Sequence, residues 1–255
     1  MKYPILMLFP LMALLFAPGR LPAASADDAL ATAKAAWQKG DLAAVETALA
    51  PLTAAATPSA PAAYYLGLVR QKQGRLPEAL KLLEQAVTLD PTQPDYHVAV
   101  GTAVAEQMRG ANFMQLALLS GKMRKAYAKA VELDPKHIGG LIGLARYYSN
   151  APEIAGGSSE KAREFAQRIH ALVPLIGEQE LGQIAERAED FAGALRHYEA
   201  ACALKPEHAG TQAAAARVLA KMGRTAEARA RYEKVLVLAP NSETVRAALA
   251  KLPPS

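Results

Sequence analysis

Five histidines, His97, His137, His170, His197 and His208, are the side chains of this chain best suited to hold a metal or carry a proton, and no two stand three or four positions apart. A metal site needs several ligands that converge on one point, so no metal is expected and the histidines are read as residues of separate structural units. The single cysteine, Cys202, lies among Ala200, Ala201 and Ala203. That setting fits a small packed apolar residue rather than a reactive thiol, and one cysteine cannot build a disulfide framework. Gly156-Gly157-Ser158-Ser159 could aim backbone N–H groups and hydroxyls at an anion, but it lacks the Gly-Lys-Ser/Thr ending of a phosphate loop. Ser158 is therefore read as a helix N-cap, with Glu160 complementing the positive end of the helix. No Gly-x-Ser-x-Gly elbow and no Cys/His arrangement marks a nucleophile. Acid pairs such as Glu189-Asp190 sit where turns are expected. No catalytic residue and no cofactor is expected.

The elements that would carry these residues recur with a period of 34 residues. Leu66-Gly67 returns as Val100-Gly101, Gly40 as Gly74, and Ala194, Tyr198 and Pro206 as Ala228, Tyr232 and Pro240. A period of this size marks a solenoid, in which one unit cannot bury its own apolar face and neighbours must stack to make a core. Between Ala60 and Gln93, Leu66, Val69, Leu80, Leu83 and Val87 fall at helical spacing, with Gly74-Arg75 breaking the run. This predicts two antiparallel helices. Small residues at Gly67, Ala79 and Ala86 would let them approach, Leu66, Leu83 and Leu89 would fill the seam, and Asp90-Pro91 would stop the second helix.

Counting from that unit gives six hairpins, at about 27–58, 60–93, 94–136, 138–174, 175–208 and 209–241, and a capping helix over 242–252. The third carries an insertion of about ten residues. Asn112 and Gln115 have capping-box spacing and Phe113, Leu116, Ser120, Met123, Tyr127 and Ala130 follow at steps of three and four, so the insertion should lengthen the second helix. The fourth has a loop over 150–159 longer than its turn requires.

Residues 1–26 carry Lys2, an apolar run from Ile5 to Ala17 and the small residues Ala24 and Ala26, the three parts of a secretory signal. The run is 13 residues, short of the ~20 that span a bilayer. Cleavage before Asp27 is expected, with retention as an anchor as the alternative. The mature chain, 27–255, would be exported and periplasmic. Whole, the chain has 29 basic against 24 acidic residues. Removing Lys2 and Arg20 leaves a net charge of +3, too weak for nucleic-acid binding.

The segment 60–93 resembles a tetratricopeptide repeat, whose pattern runs Trp, Leu-Gly, Tyr, then Ala, Phe and a final Pro. Leu66-Gly67, Ala79 and Pro91 match it, while Ala63, Arg70 and Leu83 occupy the aromatic places. The resemblance implies an all-α fold, a right-handed solenoid of about six helix hairpins closed by the C-terminal helix. It also implies a non-catalytic scaffold that holds a protein or peptide in the groove lined by the first helix of each hairpin. By position the groove residues would be Lys34, Trp37, Gln38, Tyr64, Leu68, Gln71, Lys72, Arg146, Asn150, Gln183, Arg187, Arg217 and Lys221. This stripe is aromatic at its start and basic at its end, which suits an extended peptide with an apolar anchor and acidic groups. The family's clamp for a C-terminal carboxylate is not expected, because Tyr64 and Leu68 stand where it needs Lys and Asn. The competing expectation is a small-ligand receptor or enzyme with a pocket closed by the 150–159 loop.

Overall fold

The computed structural model describes residues 23–53 and 59–253. Most of the expected leader, residues 1–22, lies outside them; its last four residues open the first helix. Among the described residues the chain forms thirteen α-helices and no strand. They are α1 Ala23–Lys39, α2 Leu42–Thr53, α3 Ala60–Lys72, α4 Leu76–Leu89, α5 Pro94–Gln107, α6 Phe113–Leu133, α7 Ile138–Asn150, α8 Ser159–Leu172, α9 Pro174–Arg187, α10 Phe191–Leu204, α11 Ala209–Lys221, α12 Thr225–Leu238 and α13 Glu243–Ala250. Each odd-numbered helix from α1 to α11 packs against the next to make a hairpin, and each hairpin packs against its neighbour. Helix α13 lies against α12 and, with Val245, covers Ala216, Tyr232 and Val235.

The local signals act as their chemistry requires. Gly40, Gly74 and Gly223, each at φ +74°, let the chain reverse between the helices of the first, second and sixth hairpins. Ser158 accepts the Lys161 N–H at 3.2 Å and Asp190 accepts the Gly193 N–H at 2.8 Å, capping α8 and α10. Asn112 and Gln115 form the reciprocal capping box of α6, each side chain 3.0 Å from the other's backbone nitrogen. Two histidines are caps as well: Nδ1 of His137 and of His208 accepts the N–H three residues on, each at 3.1 Å.

The core is a chain of small clusters, each drawing on neighbouring hairpins. Ala33, Val45, Leu49, Leu66 and Val69 join the first two; Ala194, Tyr198, Val218 and Ala228 join the last two. This is why a single unit could not stand alone. Within a hairpin the seam is closed by a large side chain on a glycine: a Cβ on Gly67 would lie 2.7 Å from Leu83, and one on Gly182 2.7 Å from Tyr198. Leu89, expected in that seam, ends α4 and stays 42% exposed; Leu83 and Ala86 fill the space instead.

Candidate functional site

The odd-numbered helices face one another across successive hairpins: α1 touches α3, α3 touches α5, α5 touches α7 and α7 touches α9, with no comparable contact between successive even-numbered helices. The side on which helices crowd is the inside of the bend, so the odd helices line the concave wall. All thirteen residues of the expected stripe lie on these helices.

The two halves of the wall differ. In the first half Lys34, Gln38 and Lys72 are exposed, but Trp37, Tyr64, Leu68 and Gln71 are half-buried. The Trp37 ring meets Tyr65 at 6.2 Å, Tyr65 meets Tyr64 at 5.2 Å and Tyr64 meets Tyr96 at 4.9 Å between centroids. Burial, with a smaller push from Asp95, raises the Tyr64 phenol above its ordinary pKa. Leu68 packs against the cluster of Leu83, Val100 and Val104. The Gln71 amide donates to Glu106 Oε1 at 2.9 Å. The aromatic start of the stripe is thus largely consumed in joining hairpins, a correction to its reading as open surface.

In the second half Arg146, Asn150, Gln183, Arg187, Arg217 and Lys221 all line one open cavity of about 440 Å³, with Ser149, Glu180, Glu186 and Phe191 among the other walls. Arg146 grips Glu180 with two nitrogens, Nε at 3.1 Å and Nη2 at 2.6 Å. Glu180 is 2% exposed. Hydrogen bonding to Glu180 raises the Arg146 pKa further, against the effect of burial. Glu186 receives three bonds, from Arg217 Nε at 2.9 Å and Nη2 at 2.8 Å and from Lys221 Nζ at 2.9 Å. The Tyr198 hydroxyl also donates to it, at 3.1 Å. Burial opposes the Glu186 charge, but the hydrogen bonds from Arg217 and Lys221 outweigh it and lower the carboxyl from 4.5 to about 2. Arg187 makes no ion pair among the described residues.

The basic end of the stripe is therefore not a row of free cations, as its sequence implied. Three of its four charges already hold carboxylates one repeat away. Glu180 and Glu186 are the residues that the sequence reading missed, and their spacing was the signal: Glu180 follows Arg146 by 34 residues, and Glu186 precedes Arg217 and Lys221 by 31 and 35. Beside this cavity lies a second of about 410 Å³, sharing Gln183 and Arg217 and adding Gln179, Tyr198 and His208. Of the 150–159 stretch, Asn150 lines the first cavity and residues 151–159 line neither. The Tyr147 hydroxyl donates to the Ala155 carbonyl at 2.8 Å and ties the stretch to α7.

Of the remaining chemistry-bearing residues, two histidines share one carboxylate. His170 and His197 reach opposite oxygens of Glu178, at 3.1 and 2.7 Å. His97 sits 2.8 Å from the Pro91 carbonyl. No group of three or more His, Cys, Asp or Glu among the described residues could hold a metal ion. Cys202 is half-buried, and that burial pushes its thiol pKa up, away from the reactive thiolate.

Family models bear on the same architecture from outside. A tetratricopeptide repeat model matches residues 185–252 and a TPR repeat model matches residues 67–107. The chain is a tetratricopeptide-repeat protein. Its fold is that of solved TPR structures. A thermophilic TPR protein of Thermus thermophilus aligns with 22% identity and a TM-score of 0.62, over 75% of this chain and 97% of that one. PilW, a type IV pilus biogenesis factor, aligns with 14% identity and a TM-score of 0.68, over 90% of this chain and 100% of that one. A TPR protein of Parabacteroides merdae aligns with 14% identity and a TM-score of 0.61, over 89% and 98%. No curated protein matches. TPR proteins bind proteins or peptides and are generally non-catalytic, and no helix among the described residues of this one is long and apolar enough to cross a membrane.

Proposed function

We propose that this TPR protein is a non-catalytic scaffold of the bacterial cell envelope that holds an extended peptide, or an extended segment of a partner protein, along its concave wall. The observation that carries the reading is the cavity of about 440 Å³ lined by Arg146, Asn150, Gln183, Arg187, Arg217 and Lys221 from three successive repeats. An extended chain laid along the concave wall would touch α7, α9 and α11 in turn. Arg146 and Arg217 each spend Nε and Nη2 on a glutamate. Their Nη1 groups remain as donors held in a fixed orientation, which favours carbonyls and carboxylates of a bound chain. Arg187 supplies an uncommitted charge, and Asn150 and Gln183 supply amides. The envelope assignment rests on the leader pattern of residues 1–26.

The test is crosslinked capture from the envelope fraction with Arg187→Glu. Arg187 supports no other residue, so helical circular dichroism should be unchanged while recovery of the partner falls at least severalfold; undiminished recovery would remove the cavity from the reading. Arg146→Glu is a poor probe, because it would set a second carboxylate against buried Glu180. The cavity's volume also lies in the range of small-molecule sites. A thermal-shift screen against metals, nucleotides and sugars separates the two: clear stabilisation by one of them would favour a small-ligand receptor.

A further inference from the structure

The end of α6 projects from the array. In the second hairpin Gly67 packs on Leu83, the eighth residue of α4, whereas in the third Gly101 packs on Tyr127, the fifteenth residue of α6. Helix α6 is 21 residues long against 14 for α5. Its first seven residues therefore have no counterpart in α4; the 3-10 turn Met108–Gly110 that continues α5 touches α6, and Leu119 packs on the core cluster of Leu83, Val100 and Val104. On this projection Met114 is 83% and Leu118 76% exposed. The side of such a helix end that faces away from its partner would ordinarily be polar. Here the first turns run Met114-Gln115-Leu116-Ala117-Leu118-Leu119.

Charge along the segment itself has one sign. Between Glu106 and Glu132 the chain has no acidic residue but carries Arg109, Lys122, Arg124, Lys125 and Lys129. Lys122 is paired with Glu84 at 2.5 Å and Lys129 with Glu132 at 2.6 Å. Arg109, Arg124 and Lys125 are exposed and make no ion pair among the described residues. Met114, Leu118 and Lys125 fall on one helix face, at steps of four and seven. Lys125 thus lies about 10 Å below Leu118 along the helix. The neighbouring hairpin turns at the same edge of the array and presents Ile154, 99% exposed, on the turn that Tyr147 pins. Glu153, Glu160 and Lys161 lie near it in sequence, so that turn adds an apolar tip and no net positive charge.

We infer that the projecting end of α6 is a docking surface for an anionic lipid bilayer. Met114 and Leu118 enter the boundary between headgroups and acyl chains, while Arg109, Arg124 and Lys125 meet lipid phosphates. Apolar side chains backed by a ring of cations are what an interfacial anchor requires, and the long stems of Lys and Arg reach from the apolar level to the headgroups. A bilayer fits better than a folded protein. The apolar tips stand outside the two cavities described above, so a protein partner would have to bring a socket. A fluid interface accommodates isolated tips without one.

The test uses the full chain and vesicles of phosphatidylethanolamine with phosphatidylglycerol, against vesicles of phosphatidylcholine alone, read by flotation. The chain should float with the anionic vesicles and far less with the neutral ones, and added salt should weaken the association. Met114→Asp with Leu118→Asp should lower partitioning about tenfold or more. Arg124→Glu with Lys125→Glu should lower it severalfold on anionic vesicles only. These side chains are exposed, so circular dichroism should not change. The inference is overturned if the wild-type chain does not float with anionic vesicles, or if the Met114/Leu118 variant floats equally well. Sedimentation that shows a dimer abolished by the same variant, without flotation, would overturn it in favour of a second copy of the chain. None of the substitutions touches the concave cavity, so failure here leaves the peptide-holding reading standing.

Discussion

The first three hairpins of the concave wall are joined by rings and the last three by charge. Trp37, Tyr65, Tyr64 and Tyr96 form a run of ring contacts from α1 to α5. From α7 to α11 the same job is done by Arg146 on Glu180 and by Arg217 and Lys221 on Glu186. Ring contacts work by removing area from water, so the side chains they use are no longer available to a ligand. The ionic joints are lopsided. Their carboxylates keep 3% and 10% of their side-chain surface, while Arg146, Arg217 and Lys221 keep 54%, 50% and 45%. The acid is spent on the fold and the outer edge of each cation remains in the groove. One half of the wall is a seam; the other is a seam that is also a surface.

The comparison can be broken most forcefully in the apolar half. Leu83→Ala should cost about 4 kcal/mol, in the upper part of the range for such truncations, because Gly67 opposite has no side chain to move into the cavity. Denaturant unfolding should show this loss undiminished by salt. Arg146→Ala is the counterpart in the ionic half. It leaves Glu180 buried without its cation, which should cost about 3 kcal/mol, the lower end for a broken buried pair since Arg146 is itself half in water. If Arg146→Ala proves neutral, the ionic joints are ornament on an apolar stack, and the contrast between the halves fails.

Sequence reading located the hairpins because their signals are local and periodic: Gly74 breaks a helix, Asp90-Pro91 stops one, and the same signals return 34 residues later. The lengthened α6 was legible for the same reason, since Asn112 and Gln115 mark its start. The groove was only half legible. Position within a repeat says which face a residue occupies, and the six C-terminal stripe residues do meet at one cavity. It does not say what lies alongside, and inter-repeat partners such as Tyr65 for Trp37 or Glu180 for Arg146 turned apparent surface into joints. Glu180 was overlooked because a carboxylate in a helix defaults to solvent. Only the pairing of opposite charges one period apart overrides that default.

The finest test of the contrast is pH. Glu186 has a folded-state pKa of about 2 against an ordinary 4.5, so the stability it contributes is complete above the unfolded value and is lost as pH falls from about 4.5 towards 2. Protonated Glu186 would face Arg217, Lys221 and the Tyr198 hydroxyl without a charge to offer. The seam between α9 and α11 should therefore loosen on acidification more than the seam between α1 and α3, where the Trp37–Tyr65 contact has no proton to gain. Hydrogen-exchange protection factors, which remove the intrinsic pH dependence of exchange, should show protection in α11 falling severalfold relative to α3 between pH about 5 and about 2.5. In Glu186→Gln that fall should be smaller. A wild-type ratio that stays flat would mean that Glu186 is held by packing rather than by its cations, and the division of the wall into an apolar and an ionic half would lose its physical basis.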